Sequence, residues 1–274
     1  MALVLAVILI VVAATGGSSN KSSKSGSPLP PSARVVMAFD IGYDATPHMP
    51  WNNLTQVVLF ALETTTGPGL DTHFIRVNPS TWVAAAHRHG VEAFISIGGS
   101  DDQNWQNACN DANRPQFVQN LVGYATSRRF DGIDLDIENR AWSKQGRPSA
   151  AMTTCIEAIS RAAHSAGLLV SADVITNWQG PWFAPSQSHV DQFNLMTYGD
   201  DLTRMQSDVA ATVDQGLPAS KFVVGIDVLD GPDPQPGGCA QFSRYAASAG
   251  LMGAFIWEAK ADARNVCADG LVAH

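Results

Sequence analysis

Asp131-Gly132-Ile133-Asp134-Leu135-Asp136-Ile137-Glu138 is the stretch that decides how this chain folds. Side chains alternate along a strand, so Asp134, Asp136 and Glu138 fall on one face and Ile133, Leu135 and Ile137 on the other. Carboxylates lined up at period two raise one another's pKa, and each is costly to bury without a purpose. The arrangement suits a strand packed outward against helices and aimed inward at a polar reaction centre. The alternative is an edge strand with its acidic face in water, which Phe130 and Gly132 do not exclude.

Seven more strand-like runs lie outward from this one. They are Val35–Ile41, Gln56–Leu62, Ala93–Ile97, Leu169–Ile175, Gln192–Tyr198, Phe222–Val228 and Gly253–Trp257, and the acidic run itself spans Gly132–Ile137. Most are rich in Val, Ile, Leu and Phe, as strands buried on both faces are. Helical stretches separate them, among them Ser80–His89, Pro115–Arg129, Ala150–Ala166 and Leu202–Gln215. Asn78-Pro79-Ser80 and Asn113-Arg114-Pro115 have the polar cap and early proline of helix starts, and Gly90 and Gly167 follow two helix ends. Eight strands with intervening helices predict an α/β fold, a (β/α)8 TIM barrel with its reaction centre at the strands' C-terminal ends. The first, fifth and last helices look short, so the barrel is expected to be trimmed.

The acidic stretch resembles the signature of glycoside hydrolase family 18, the chitinases and endo-β-N-acetylglucosaminidases, which reads Asp-Gly-x-Asp-x-Asp-x-Glu. Other family stretches are matched in order: Ser96-Ile97-Gly98-Gly99, Met196-Thr197-Tyr198 and Gly253-Ala254-Phe255-Ile256-Trp257. The resemblance implies hydrolysis of β-1,4 bonds in chitin or N-acetylglucosamine oligosaccharides. In this family the substrate's own acetamido oxygen is the nucleophile, so one carboxyl suffices as acid and base. On that pattern Glu138 is the acid/base, Asp136 binds the acetamido N–H and stabilises the oxazolinium intermediate, and Asp134 shares a proton with Asp136, assisted by Ser96. Tyr198 donates to the acetamido carbonyl, Met196 walls the pocket and Trp257 forms the floor. After Met-x-Tyr the family has Asp or Asn; here Gly199 intervenes and Asp200 takes that part from one residue further on. Only a loop and one helix fit between the seventh and last strands, without the α+β insertion module of many relatives. That implies an open groove and endo-acting cleavage. The same residues would serve an endo-β-N-acetylglucosaminidase on N-glycans or peptidoglycan, whereas a non-catalytic lectin of this fold would usually lack the Glu or one of the motif's Asp residues.

Trp105, Trp142, Trp178 and Trp182 follow predicted strands and are expected on the catalytic face, where flat indoles stack on sugar rings; the other reading is that some cap the barrel. His87 and His89 flank Arg88 near a helix end and read as solvated surface. Cys109, Cys155, Cys239 and Cys267 match no metal-site spacing, so no metal is expected. Four cysteines allow three pairings. Their places around the predicted strands favour Cys109–Cys155 and Cys239–Cys267, with four buried free thiols as the other possibility.

The chain has 274 residues, 45% apolar and 15% charged, enough for one large core over residues 33–274. Residues 1–15 contain thirteen consecutive apolar positions, Ala2 to Ala14, the length of a signal-peptide core and short of the ~18 expected of a membrane span. No Lys or Arg precedes them, so an N-terminal anchor is the alternative to secretion. Residues 16–32 have the Ser, Gly and Pro content of a linker. The net charge is −8. Without Lys21 and Lys24 of the linker, 15 basic residues face 25 acidic ones and it becomes −10. Such a domain is a poor partner for nucleic acid or an anionic membrane. No nucleotide or cofactor motif occurs, and a monomer is expected.

Overall fold

The computed structural model of the chain describes residues 35–42, 49–138, 150–198, 201–229, 236–262 and 264–272. The segments 1–15 and 16–32, together with Trp142 and Asp200, lie outside the described residues. Eight strands run parallel: β1 (Val35–Ile41), β2 (Gln56–Thr64), β4 (Glu92–Gly98), β5 (Gly132–Asp136), β6 (Leu169–Val174), β7 (Gln192–Leu195), β8 (Phe222–Asp227) and β9 (Gly253–Trp257). They follow one another around the sheet, and β1 pairs with both β2 and β9, which closes the barrel. A two-residue strand, β3 (Leu70–Asp71), turns back antiparallel onto the end of β2. It is too short for any periodicity to announce it.

Alternation along the strands sorts their apolar side chains into two cores. Val35, Met37 and Phe39 of β1 join Val58, Phe94, Val223 and Phe255 in a plug inside the barrel. Val36 and Ala38 belong to the larger core between the barrel and its helices. Ile133, Leu135 and Ile137 also lie in that outer core. The carboxylates of β5 therefore point inward, with Asp134 and Asp136 only 0% and 3% exposed, and the acidic edge strand is excluded.

Side-chain caps open two of the helices, whereas Asn113 makes no capping bond to its helix. In α1 (Pro79–Arg88), Asn78 accepts a hydrogen bond from Thr81 N at 3.1 Å, and Gly90 beyond its end takes φ +75°. Next come the one-turn α2 (Trp105–Ala108) and the long α3 (Arg114–Ser127) and α4 (Ala150–Ser165). After β6 the chain makes only α5 (Gly180–Phe183) and a 3-10 turn, Ala184–Ser186. Then follow α6 (Leu202–Asp214), capped by Asp201, α7 (Pro236–Ser248) and the short α8 (Val266–Val272). Between β1 and β2 the described residues hold one 3-10 turn, Trp51–Asn53. Among the described residues the helical segments after β1, β6 and β9 are short, where the sequence predicts a trimmed barrel, and α7 is the one helix described between β8 and β9.

Two disulfides tie this outer layer together. Cys109 at the end of α2 joins Cys155 of α4, and Cys239 of α7 joins Cys267 of α8, with Cα atoms 5.5 and 5.1 Å apart. Closing loops of 46 and 28 residues removes chain entropy from the unfolded state worth about 4 kcal/mol each.

Candidate active site

Strand register assembles the site at the C-terminal end of the barrel. Ser96 of β4, Asp134 of β5 and Ser171 of β6 lie side by side, and Gly98 lies beside Asp136. Gly98 has φ +121°, and a Cβ there would sit 1.8 Å from the carbonyl oxygen of Asp136. Only glycine lets β4 lie this close to β5 at the acid. The next amide, Gly99 N, donates to the same Asp136 oxygen at 2.9 Å. The Ser96-Ile97-Gly98-Gly99 stretch thus fixes the backbone that carries Asp136.

Asp134 lies deepest. Its Oδ1 accepts from Ser171 Oγ at 2.6 Å and from Asn194 Nδ2 at 3.0 Å. Burial raises its pKa to about 6, against the stabilising pull of Ser171 and its other polar neighbours. Ser96, expected to assist Asp134, lies opposite it across the β4–β5 ladder, and it lowers the Asp134 pKa alongside Ser171, Asp173 and Asn194. Asp136 stands one pleat above and is pushed well above the ordinary carboxylate range, first by burial and then by the charges of Glu138 and Asp134; it also hydrogen-bonds Glu138. Glu138, two residues past the strand, is half-buried and reaches solvent.

Tyr198 follows β7, within reach of the same charges. Burial, then the charges of Asp173, Asp136, Glu138 and Asp227, raise its pKa well above that of a free phenol, so it remains a hydrogen-bond donor. Trp257, half-buried at the end of β9, packs at 5.5 Å from Phe39 and at 4.9 Å from Phe60. Its indole packs against the apolar plug. A cleft of about 190 Å³ opens next to Gly99, walled by Ile41, Phe60, Glu63, Phe74 and Asp101.

Residues 18–230 match the glycosyl hydrolases family 18. The chain belongs to that family. Among solved structures, it is similar to a family 18 N-acetylglucosaminidase from Paenibacillus barengoltzii, 16% identical, with a TM-score of 0.75 over 88% of this chain and 99% of the other. It is likewise similar to a chitinase from Rhizomucor miehei, 18% identical, TM-score 0.73, over 86% and 98%. At these identities the likeness concerns the fold. A chitinase-like effector from Moniliophthora perniciosa is 33% identical over 78 residues, which span 26% of this chain and 16% of that relative.

Two of the tryptophan expectations need correcting. Trp105 and Trp182 are 0% and 1% exposed and belong to the core between barrel and helices. Trp105 meets Phe117 edge-on at 6.1 Å, and Trp182 meets Trp178 at 5.0 Å. The segments after β4 and β6 coil into α2 and α5, which fold these indoles inward and leave no face for a sugar. Trp178 is half-buried against Trp182. Met196 is half-buried just beyond β7, whose ladder ends at Leu195 rather than at Tyr198. There Thr197 Oγ1 donates to Gly225 O and accepts from Gly225 N, so a side chain takes over the pairing with β8.

Asp173, Asn194 and Gln192 also point into this family 18 site, and sequence reasoning missed them. All three are buried, and Gln192 Nε2 donates to Asn194 Oδ1 at 2.7 Å. Their signal was available: Ser171/Asp173 and Gln192/Asn194 are polar residues at period two inside otherwise apolar strands.

Proposed function

We propose that this chain is a secreted, endo-acting chitinase that cleaves β-1,4 bonds between N-acetylglucosamine units with retention at the anomeric carbon. The observation that carries this is the ladder Asp134, Asp136, Glu138, with Tyr198 close enough to feel the charges of Asp136 and Glu138. Glu138 protonates the leaving oxygen from the solvent-facing rim. Tyr198, held as a phenol, donates to the acetamido carbonyl and keeps its oxygen beneath C1, where it attacks to form an oxazolinium ion. At rest Asp136 holds the proton of its hydrogen bond with Glu138. Passing that proton to Glu138 arms the acid and leaves Asp136 anionic, to accept the acetamido N–H and offset the positive ring. Water activated by Glu138 then opens the intermediate. Trp257 is the floor of the cleaved sugar's site, and Met196 and Trp178 extend the groove.

The two disulfides and the apolar segment 1–15 support secretion, and the described residues contain no helix long and apolar enough to cross a membrane. The single helix described between β8 and β9 supports an open groove and endo action. A second reading, a chitin-binding protein that does not hydrolyse, is favoured by the likeness to a chitinase-like effector; the complete carboxyl ladder supports the enzyme instead.

The test is hydrolysis of chitin oligosaccharides by the wild type beside Glu138→Gln. Loss of the acid should lower the rate roughly a hundredfold or more while binding persists. Binding by both proteins with hydrolysis by neither would establish the second reading.

A further inference from the structure

Asp173 has no part in the chemistry above, yet it is buried among the groups that carry it. It is 4% exposed on the inner face of β6. Asp134 pairs with Ser171 and Leu135 with Ala172, so one step further along Asp173 stands beside Asp136 on the neighbouring strand. On its other side Asp173 is paired with Asn194 of β7. The Asn194 amide donates to Asp173 Oδ1 at 2.9 Å and to Asp134 Oδ1 at 3.0 Å. Both amide hydrogens are committed, and Gln192 fixes the amide's orientation by donating to its oxygen. Asp134 and Asp173 are therefore bridged by a neutral group that adds no positive charge. Asp134 Oδ2 and Asp136 Oδ1 are buried with no hydrogen-bond partner.

Carboxyls packed this closely in a buried layer cannot all be ionised, and their protons belong to the group as a whole. An apolar residue or serine would fill the same place on β6 without adding a like charge. The titratable groups facing Asp173 are Asp134, Asp136 and Glu138 from β5 and its extension, and Tyr198 beyond β7; Asp227 at the end of β8 faces Tyr198 in turn. We propose that Asp173 is a positioning residue of the active site, which through the Asn194 bridge and its place beside Asp136 keeps a proton in the carboxyl group and holds Tyr198 as a donor. Asp173 also acts on Tyr198 more strongly than any other charge, ahead of Asp136 and Glu138. The inference rests on the hydrolase reading for its catalytic meaning, though not for its electrostatics.

The test compares wild type with Asp173→Asn, which keeps an oxygen to accept from Asn194, and with Asp173→Ser should the first variant fail to fold. Carbon-13 NMR of the side-chain carboxyls is followed against pH, alongside the pH profile of kcat/KM on chitin oligosaccharides. Removing a like-charged neighbour lowers the pKa of the carboxyl beside it, so the midpoint of Asp136 should fall by about one pH unit. The basic limb of kcat/KM should move down with it. A purely structural role would lower the melting temperature or the rate at all pH values and leave midpoints and limb in place; that result overturns the proposal. Midpoints that shift in a protein without hydrolytic activity would uphold the coupling and count against the hydrolase reading alone.

Discussion

The two ends of the barrel use aspartate in opposite ways. At the N-terminal end, Asp131 immediately precedes β5 and its Oδ2 accepts from Ala93 N at 2.8 Å and meets His87 Nε2 at 2.7 Å. Asp191, just before β7, repeats the device: its Oδ2 accepts from Val170 N at 2.8 Å and meets His164 Nε2 at 2.8 Å. Each ties a strand start to its neighbour and to a helix end, with the paired side chains a third or more exposed. At the other end, Asp134, Asp136 and Asp173 are buried beside one another, bridged by a neutral amide. Asp131 and Asp136 belong to the same eight-residue stretch, yet one is a latch and the other is held ready for chemistry. Residue type alone does not distinguish them; a partner histidine and access to water do.

The largest effect that would sharpen this contrast should come from Tyr198→Phe. Loss of the donor to the acetamido oxygen should lower kcat roughly ten- to a hundredfold with little change in melting temperature. Steady-state kinetics beside thermal unfolding would check it, and a variant of full activity would remove Tyr198 from the mechanism.

Asp134→Asn should come next, in stability. The folded-state pKa of Asp134 is raised to about 6 from an ordinary 3.8, so the folded protein binds this proton more tightly than the unfolded chain. Its contribution is fully favourable below the unfolded value and is lost as pH rises through about 6. The variant should therefore gain on wild type between pH 4 and 6 by about 1–3 kcal/mol, with a flat difference above. Denaturant melts across that range would reveal the slope, and a constant difference would place the ionised form in a less costly setting.

The smallest effect belongs to the latch. His87→Ala should cost about 0.5–1 kcal/mol of stability and leave kcat/KM unchanged, because a half-exposed pair contributes little and lies at the far end of the barrel. A large loss of activity would mean that the two ends are coupled.

The barrel was legible because most of its strands are rich in Val, Ile, Leu and Phe and some helix caps are explicit in the sequence, as at Asn78-Pro79 and Gly90. The carboxyl ladder was legible because alternation leaves charged side chains on a strand no choice but one face. The end of β7 was not, since Thr197 replaces backbone pairing with its hydroxyl. Trp105 and Trp182 misled because position after a strand fixes which end of the barrel a residue occupies, but not which way a one-turn helix points its indole. Asp173 and Asn194 were overlooked because their significance lies in register with β5, and single-strand patterns do not carry register.

The most direct measurement is proton NMR of the anomeric products released from a chitin oligosaccharide during the first minutes of hydrolysis by the wild-type protein. Substrate-assisted cleavage by the Asp136–Glu138 pair predicts that the β-anomer appears first and mutarotates afterwards. Initial release of the α-anomer would mean direct attack by water and would contradict the account.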